Sequence, residues 1–493
     1  MIGLALLALA PANTLAEYWP YQTFVTEPTF HPPVLDIQKS GQPLADGLIF
    51  FTPANEDTSN LNAKELASGM IMTDEGELVW NGPVAEPQTN LFVQELDGRS
   101  VLSHWNGVGS NTGHGYGKVT IVDESYSTIY EVCPELGFTT PNGIKFPCYA
   151  DLHESLITEE GTIIVSAVNT TQVDLSSVGG PVDGWIYDDW FYEIDIKTNE
   201  VLFRWSALEA GVSLGLSKVD LASDNAGNGT FQTNPWDWFH LNAVQRIGDK
   251  YLVNSRHCWT TFLIDNNGKV KWQLDGSNGG DFKLPYSDLF KWQHHARVHH
   301  VTESSLQISY FNNDNCGWDN DTNQPSAGLN LQIDLHSKIV TILQNLEDPN
   351  DKLYTDSQGT FWSLDNGNTL LGYGSNPVIK EFGIDGNTRM RIQFGELGLV
   401  QSYRSYRQEW HAIPRHKPKA TVKDNVVYMS WNGATEVSHW EVFAGKSRQS
   451  LQSVGRIPKQ GFETSFNLTQ SASVIQVTAF QGAKFLDRSV IVN

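Results

Sequence analysis

Charge is sparse in this chain of 493 residues, where Asp, Glu, Lys and Arg together make up 18%. What charge there is has no basic excess: 33 Lys and Arg stand against 56 Asp and Glu, for a net charge of −23. Nucleic acid and anionic membrane surfaces both select a basic footprint, so neither is expected as a partner. After its first residues the chain has no run of the ~18 apolar residues that a bilayer-spanning helix needs, and no membrane span is expected. It also lacks a G-x-S-x-G nucleophile elbow, a Gly-rich dinucleotide turn and a phosphate-binding loop, which sets aside the chemistries those motifs serve. Closely spaced metal ligands are missing as well. A three-histidine zinc or copper site would rest on repeat geometry alone, and no cofactor or metal is expected.

What the chain does have is aromatic side chains at 11% and 42 glycines, a composition that suits strands broken by many turns. Its length exceeds one ordinary core unless the fold is a repeat or barrel. One hairpin pattern recurs in six copies: MIMTDEGELVW (70–80), VTIVDESYSTIYEV (119–132), YEIDIKTNEVLFRW (192–205), FLIDNNGKVKWQL (262–274), LQIDLHSKIVTIL (331–343) and KEFGIDGNTRMRIQF (380–394). A spacing of roughly 50 to 70 residues is that of propeller blades with loop insertions, and the Asp-bearing turns suit a tight connection between outer strands. The expected fold class is all-β: a six-bladed β-propeller, which leaves no long sheet edge unpaired. Two β-sandwiches in tandem are the rival, and the single repeated hairpin argues against them. Residues 169–190 and 206–238 are long Gly/Ser/Asp-rich stretches, read as a wall or lid over one face. After Pro414-Arg415-His416-Lys417-Pro418 the composition changes, and short alternating strands predict a small immunoglobulin- or fibronectin-like β-sandwich over 420–493.

The opening MIGLALLALAPANTLAEYW has an apolar run of about ten residues ending in small ones, and 1–16 reads as a secretory signal without its usual basic start. The propeller is then expected over 17–418. Four cysteines fit an oxidising compartment, as disulfides pairing Cys133 with Cys148 and Cys258 with Cys316, although spacing alone leaves the connectivity open. Sequons at Asn169, Asn228, Asn320 and Asn467 point the same way, to a secreted glycoprotein. Nothing in the pattern asks for a second copy, and a monomer is expected.

Three stretches place histidine at the head of an expected inner strand: ADLHESLI (His153), DWFHLNAVQRI (His240) and WQHHARVHHV (His294, His295). If these positions are equivalent in a closed repeat, the rings gather round one axis. Strand alternation puts Asn242 on the face of His240, sends His294 inward and turns His295 away. Arg297 is read as a structural ion partner, and His299 and His300 as surface or inter-blade groups. Trp236, Trp238, Trp259 and Trp292 surround these motifs, mostly as blade core, with one or two able to stack on a planar ligand.

The order DWFHLNAV, LVNSRHCW, IDNNGKVKWQLDG, FKWQHHARV, with DLHESLITEEGTIIVSA upstream and YRSYRQEWHAIP downstream, resembles the arylsulfotransferase family, especially its secreted fungal branch. The resemblance covers most of 40–418 and implies an active site in the central funnel of a six-bladed propeller. It implies transfer of a sulfuryl group between phenol esters through a sulfated histidine, without a nucleotide donor. The small-molecule partner it implies is aromatic or phenolic. Carried over by motif, His240 and Asn242 match the D-x-x-H-x-N element, Arg256 the S-x-R element, and His294 the Q-H strand. Those residue types suit the reaction: a neutral imidazole is a nucleophile, a second protonates the departing phenolate, and cationic donors stabilise the sulfuryl oxygens. The sulfate-accepting histidine is not placed by motif, and His153, His257 and His411 are further candidates. Where the bacterial pattern has an acidic-Asn-Gly stretch ending in Arg, this chain reads SYFNNDNCGWDND, with no Arg. Two alternatives follow: other chemistry in the same funnel, such as a cyclisation or isomerisation, or a non-catalytic binding propeller.

Overall fold

The recurrent hairpins close on turns that their own side chains build. Asp265 Oδ1 accepts from the backbone N–H of Asn267 and of Lys269, Asp195 does the same for Lys197 and Thr198, and Asp334 for His336 and Ser337. A carboxylate that caps its own turn fixes where one strand ends and the next begins. In the first hairpin Thr73 Oγ1 takes that part, accepting from Glu75 and Glu77. In the computed structural model, which describes residues 19–55, 68–83, 87–110, 112–318 and 324–492, all six hairpins are the outer strands of six antiparallel sheets.

These sheets are the blades of a six-bladed propeller. Blades 2 to 5 are four-stranded meanders over 88–132, 155–206, 241–275 and 294–346. Blade 6 (360–393) gains a fifth, outer strand, Asp36–Lys39, on Thr388–Gln393. Blade 1 closes the ring: its inner strand is Ser405–Gln408, late in the chain, paired with Leu48–Phe51, and then come Met70–Met72 and Leu78–Asn81. The core lies between blades, where apolar side chains of one sheet pack on the next. Phe191 and Trp205 of blade 3 meet Tyr251 and Phe262 of blade 4, and Leu252 and Trp272 of blade 4 meet Ile308 and Leu331 of blade 5. Burial of this kind contributes about 1.5–3 kcal/mol per large side chain.

Near the axis the ring is tied by one carboxylate. Glu154, fully buried, pairs with Arg297 (2.9 Å) and Arg404 (3.0 Å) and accepts from the Val244 N–H (3.0 Å), which joins blades 3, 4, 5 and 1. Arg404 also donates to the carbonyls of His153 and Asn242. These charges hold Glu154 below its usual range against the opposing effect of burial. Arg297 is thus the structural ion partner that the sequence suggested.

Lys419–Lys423, Val426–Ser430 and Glu463–Asn467 form one sheet beyond the ring, and His439–Gly445, Gln452–Pro458, Val474–Gln481 and Lys484–Arg488 a second. Val427, Met429, Trp440 and Val477 fill the space between them, so this is a β-sandwich. Glu463 accepts from the backbone of Val25 and Thr26, and Asn432 exchanges two hydrogen bonds with the Asn81 backbone, which fixes the sandwich to the propeller.

Two expectations change here. Residues 169–190 are largely strand, because Thr162–Val173 pairs with Gly184–Asp195 along its whole length. Cys133 and Cys148 are bonded, but no disulfide joins Cys258 to Cys316. Cys258 belongs to the apolar cluster between blades 3 and 4 and points its thiol at the Trp238 carbonyl, whereas Cys316 packs in a separate cluster with Trp292. Burial pushes the Cys258 thiol up to about 12, so it stays protonated. The expected signal at 1–16 and the Asn320 sequon lie outside the described residues. No described helix is long and apolar enough to cross a membrane.

Candidate active site

A cavity of about 760 Å³ opens where the inner strands begin. His153, His240, His294, Gln358 and Tyr403 line it, each within a few residues of the head of an inner strand, and Arg256 and His257 enter from the turn between the second and third strands of blade 4. Asn225 and Ala226, from the 206–238 insertion, complete part of the wall. A local feature aims several of these heads. The inner strands of blades 2, 4 and 5 each shift register near the start, and Asn90, His240 and His295 there hold positive φ of 58°, 53° and 50°. A bulge with left-handed backbone re-aims a side chain, at a cost that the surrounding structure must offset.

Two histidines are held by carboxylates in the same way. His240 Nδ1 donates to Asp237 Oδ2 at 2.6 Å, and the His240 backbone N–H donates to Asp189. His153 Nδ1 donates to Asp151 Oδ2 at 2.5 Å, and Asp151 is steadied further by the His153 N–H and Ser166 Oγ. A carboxylate on Nδ1 fixes the ring and leaves Nε2 as the edge presented to the cavity. Burial holds His240 well below the usual imidazole range even beside Asp237, so its ring is neutral.

His114 lies behind these pairs. Its Nε2 is 3.3 Å from Asp237, its Nδ1 is 3.8 Å from Asp151 and 3.9 Å from Asp189, and its ring centroid is 4.8 Å from those of His240 and Tyr187. Burial opposes its charge, but Asp237, Asp189 and Asp151 overcome that and raise it to about 10. Asp237 and Asp151 stay ionised, since the histidines around each outweigh burial, whereas burial keeps Asp189 well above the carboxylate range. One imidazolium and two carboxylates thus sit under the neutral ring of His240.

Arg256 is sandwiched by aromatics, its guanidinium 5.2 Å from the Trp292 centroid and 5.5 Å from Trp318. Its Nη1 donates to His257 Nε2 (2.6 Å) and its Nη2 to the Asp356 carbonyl (2.8 Å), while Nε is buried with no hydrogen-bond partner among the described residues. His257 Nδ1 in turn donates to the Asp237 carbonyl, and burial lowers this ring to about 4, so it accepts from Arg256 as a neutral group.

The structure brings His153, His240, Arg256, His257 and His294 to one cavity and leaves two expected residues out. Asn242 is fully buried between blades, donating to the Gln293 carbonyl and accepting from Asn254. The register shift between Leu241 and Ala243 breaks the alternation that placed Asn242 with His240. His411 is 76% exposed and pairs with Glu436 at the sandwich junction. His294 lines the cavity, but both its nitrogens are taken: Nδ1 donates to Asn313 Oδ1 and Nε2 accepts from the Gln358 N–H. His295 turns between blades, donating to the Phe361 carbonyl. His114, Asp151, Asp237 and Tyr403 were not singled out from the sequence. The D-x-H and D-x-x-H spacings carried a signal for the two acids, whereas G-H-G around His114 carried none.

A family model described as Arylsulfotransferase (ASST) matches residues 92–395, more than half of the chain. No curated protein matches. Among solved structures, the chain is similar to a protein of unknown function from Bacteroides caccae, at 10% identity and a TM-score of 0.38, over 73% of this chain and 98% of that one. It is also similar to an α-L-arabinanase of Penicillium chrysogenum complexed with arabinobiose, at 10% identity and a TM-score of 0.33, over 78% and 93%. An α-L-arabinofuranosidase of Fusarium graminearum shows 8% identity and a TM-score of 0.33 over 69% and 87%.

Proposed function

The chain belongs to the arylsulfotransferase (ASST) family and its function is in general terms sulfotransferase-like; from that premise we propose that it moves a sulfuryl group from an aryl sulfate to a phenolic acceptor, with His240 as the group carrier. The observation that carries this reading is the Asp237–His240 pair, 2.6 Å apart, with neutral Nε2 in the same cavity as a buried arginine.

Nε2 of His240 attacks sulfur, the bond from sulfur to the phenol oxygen breaks, and the phenolate leaves with a proton from a neighbouring acid. His153, whose ring centroid is 4.8 Å from that of His240, is the group we assign to that proton, delivered from Nε2 while Nδ1 stays on Asp151. The acceptor phenol then returns a proton to His153 and attacks the same sulfur, which releases His240. As Nε2 becomes substituted the ring gains charge, and Asp237 stabilises it there. Arg256, fixed by His257 and the Asp356 carbonyl, supplies donors for the sulfuryl oxygens in a site where solvent competes little. Trp318 beside Arg256 supports an aromatic substrate. His294 acts by shaping the wall, because both its nitrogens are occupied. An extracellular setting is supported by the Cys133–Cys148 disulfide and the exposed sequon at Asn467.

The test is turnover of p-nitrophenyl sulfate with a phenol acceptor, together with peptide mass spectra of protein quenched without acceptor. Sulfated His240 is expected, with activity lost in His240→Ala and reduced about 10³–10⁴-fold in Asp237→Asn. A well-folded protein with neither turnover nor an adduct on any histidine refutes the proposal.

A further inference from the structure

His114 is 1% exposed, yet neither of its ring nitrogens makes a hydrogen bond with any described residue. Buried polar atoms in native proteins are nearly always paired, so two unmet edges on one ring call for a ligand. Its Nε2 lies 3.3 Å from Asp237 Oδ2, out of line for a hydrogen bond, and that oxygen is 2.6 Å from His240 Nδ1. The other carboxylate oxygen, Asp237 Oδ1, is also buried without a hydrogen-bond partner among the described residues. Ligand atoms of His114, Asp237 and His240 all lie within 4.8 Å of one another.

We infer that His114, Asp237 and His240 form a binding site for one divalent transition-metal ion of the zinc class, with a water or a cavity ligand in the fourth position and the imidazolium proton of His114 released as the ion binds. Ligands held tetrahedrally at about 2.1 Å from zinc stand about 3.4 Å apart. The His114–Asp237 separation of 3.3 Å already matches, and the short Asp237–His240 contact of 2.6 Å must open. Two imidazoles and one carboxylate select zinc or cobalt over calcium or magnesium, which take oxygen donors. The second nitrogen of His114 faces Asp151 and Asp189 at 3.8 and 3.9 Å, the carboxylates that orient a metal-bound imidazole from behind.

The inference goes beyond the sulfuryl-transfer reading and stands without it, although both involve His240. A metal on Nδ1 moves the imidazole proton to Nε2, so the loaded protein presents a donor there in place of a nucleophilic lone pair.

Full-length protein stripped with a chelator and dialysed against Zn²⁺ alone is expected to retain close to one equivalent by elemental analysis. Retention falls about tenfold or more in His114→Gln and in Asp237→Asn and is unchanged in His411→Gln. Retention below about a tenth of an equivalent by the wild type, or equal binding by a folded His114→Gln variant, overturns the inference. Should both variants fail to fold, Co²⁺ added to the wild type decides. Intense visible bands of a four-coordinate ion support the site, and the weak spectrum of the hydrated ion sinks it.

Discussion

At the scale of single residues, burial decides most of the chemistry. His104, 6% exposed in the second strand of blade 2, is lowered by burial to about 4. Its folded value lies below the unfolded value of about 6.5, so the unfolded chain takes up the proton first. The neutral ring therefore favours the fold above about pH 6.5, and stability falls as pH drops from there toward 4. This one group removes about 2 kcal/mol between pH 7 and 5 by linkage, and urea midpoints at the two pH values should be closer together in His104→Gln than in the wild type. If they are equally far apart, His104 is not the group responsible. The residue scale was only half legible in the sequence. His240, His153 and Arg256 stood at recognisable strand heads and turns, but Asp237 acquires its meaning only from three histidines that surround it, two of them at least 20 residues away in sequence.

At the scale of elements, the six outer hairpins were legible because each carries its own turn chemistry, a local signal. The inner strands were less so. Their register shifts at Thr89–Phe92, Leu241–Ala243 and His294–Arg297 override alternation, and nothing local in the sequence announces a bulge. The alternation argument therefore misplaced Asn242, two residues from a position it placed well. What keeps such short inner strands together is Glu154. Replacing it with Gln leaves Arg297 and Arg404 buried beside a neutral amide, which is expected to cost about 3–5 kcal/mol. Chemical denaturation of Glu154→Gln measures this directly; a loss under about 1 kcal/mol would mean that inter-blade apolar contacts alone hold the axis.

At the scale of the whole molecule, the ring is closed by pairing residues 405–408 with 48–51, and the strand at 36–39 lies on blade 6. The repeat count predicted six blades, but not that blade 1 would be assembled from both ends of the propeller, since non-local pairing leaves no periodic trace. A chain ending at residue 418 retains the closing strand, whereas one ending at 404 does not. We expect the first to give a folded, soluble propeller and the second to aggregate, as read by circular dichroism and size exclusion, because an open ring exposes the edge of Leu48–Phe51 and the apolar faces beside it. Equal solubility and unfolding cooperativity of the two would count against ring closure as the stabilising event.

The late closing strand also sets an order of events during synthesis. Tyr403 and Arg404, which line the cavity and anchor Glu154, directly precede that strand. A nascent chain can build blades 2 to 5 one after another as they emerge, yet it has no finished cavity until residues 403–408 have followed them. Premature termination therefore yields silent fragments, and any activity in a preparation reports on chains that were completed and closed.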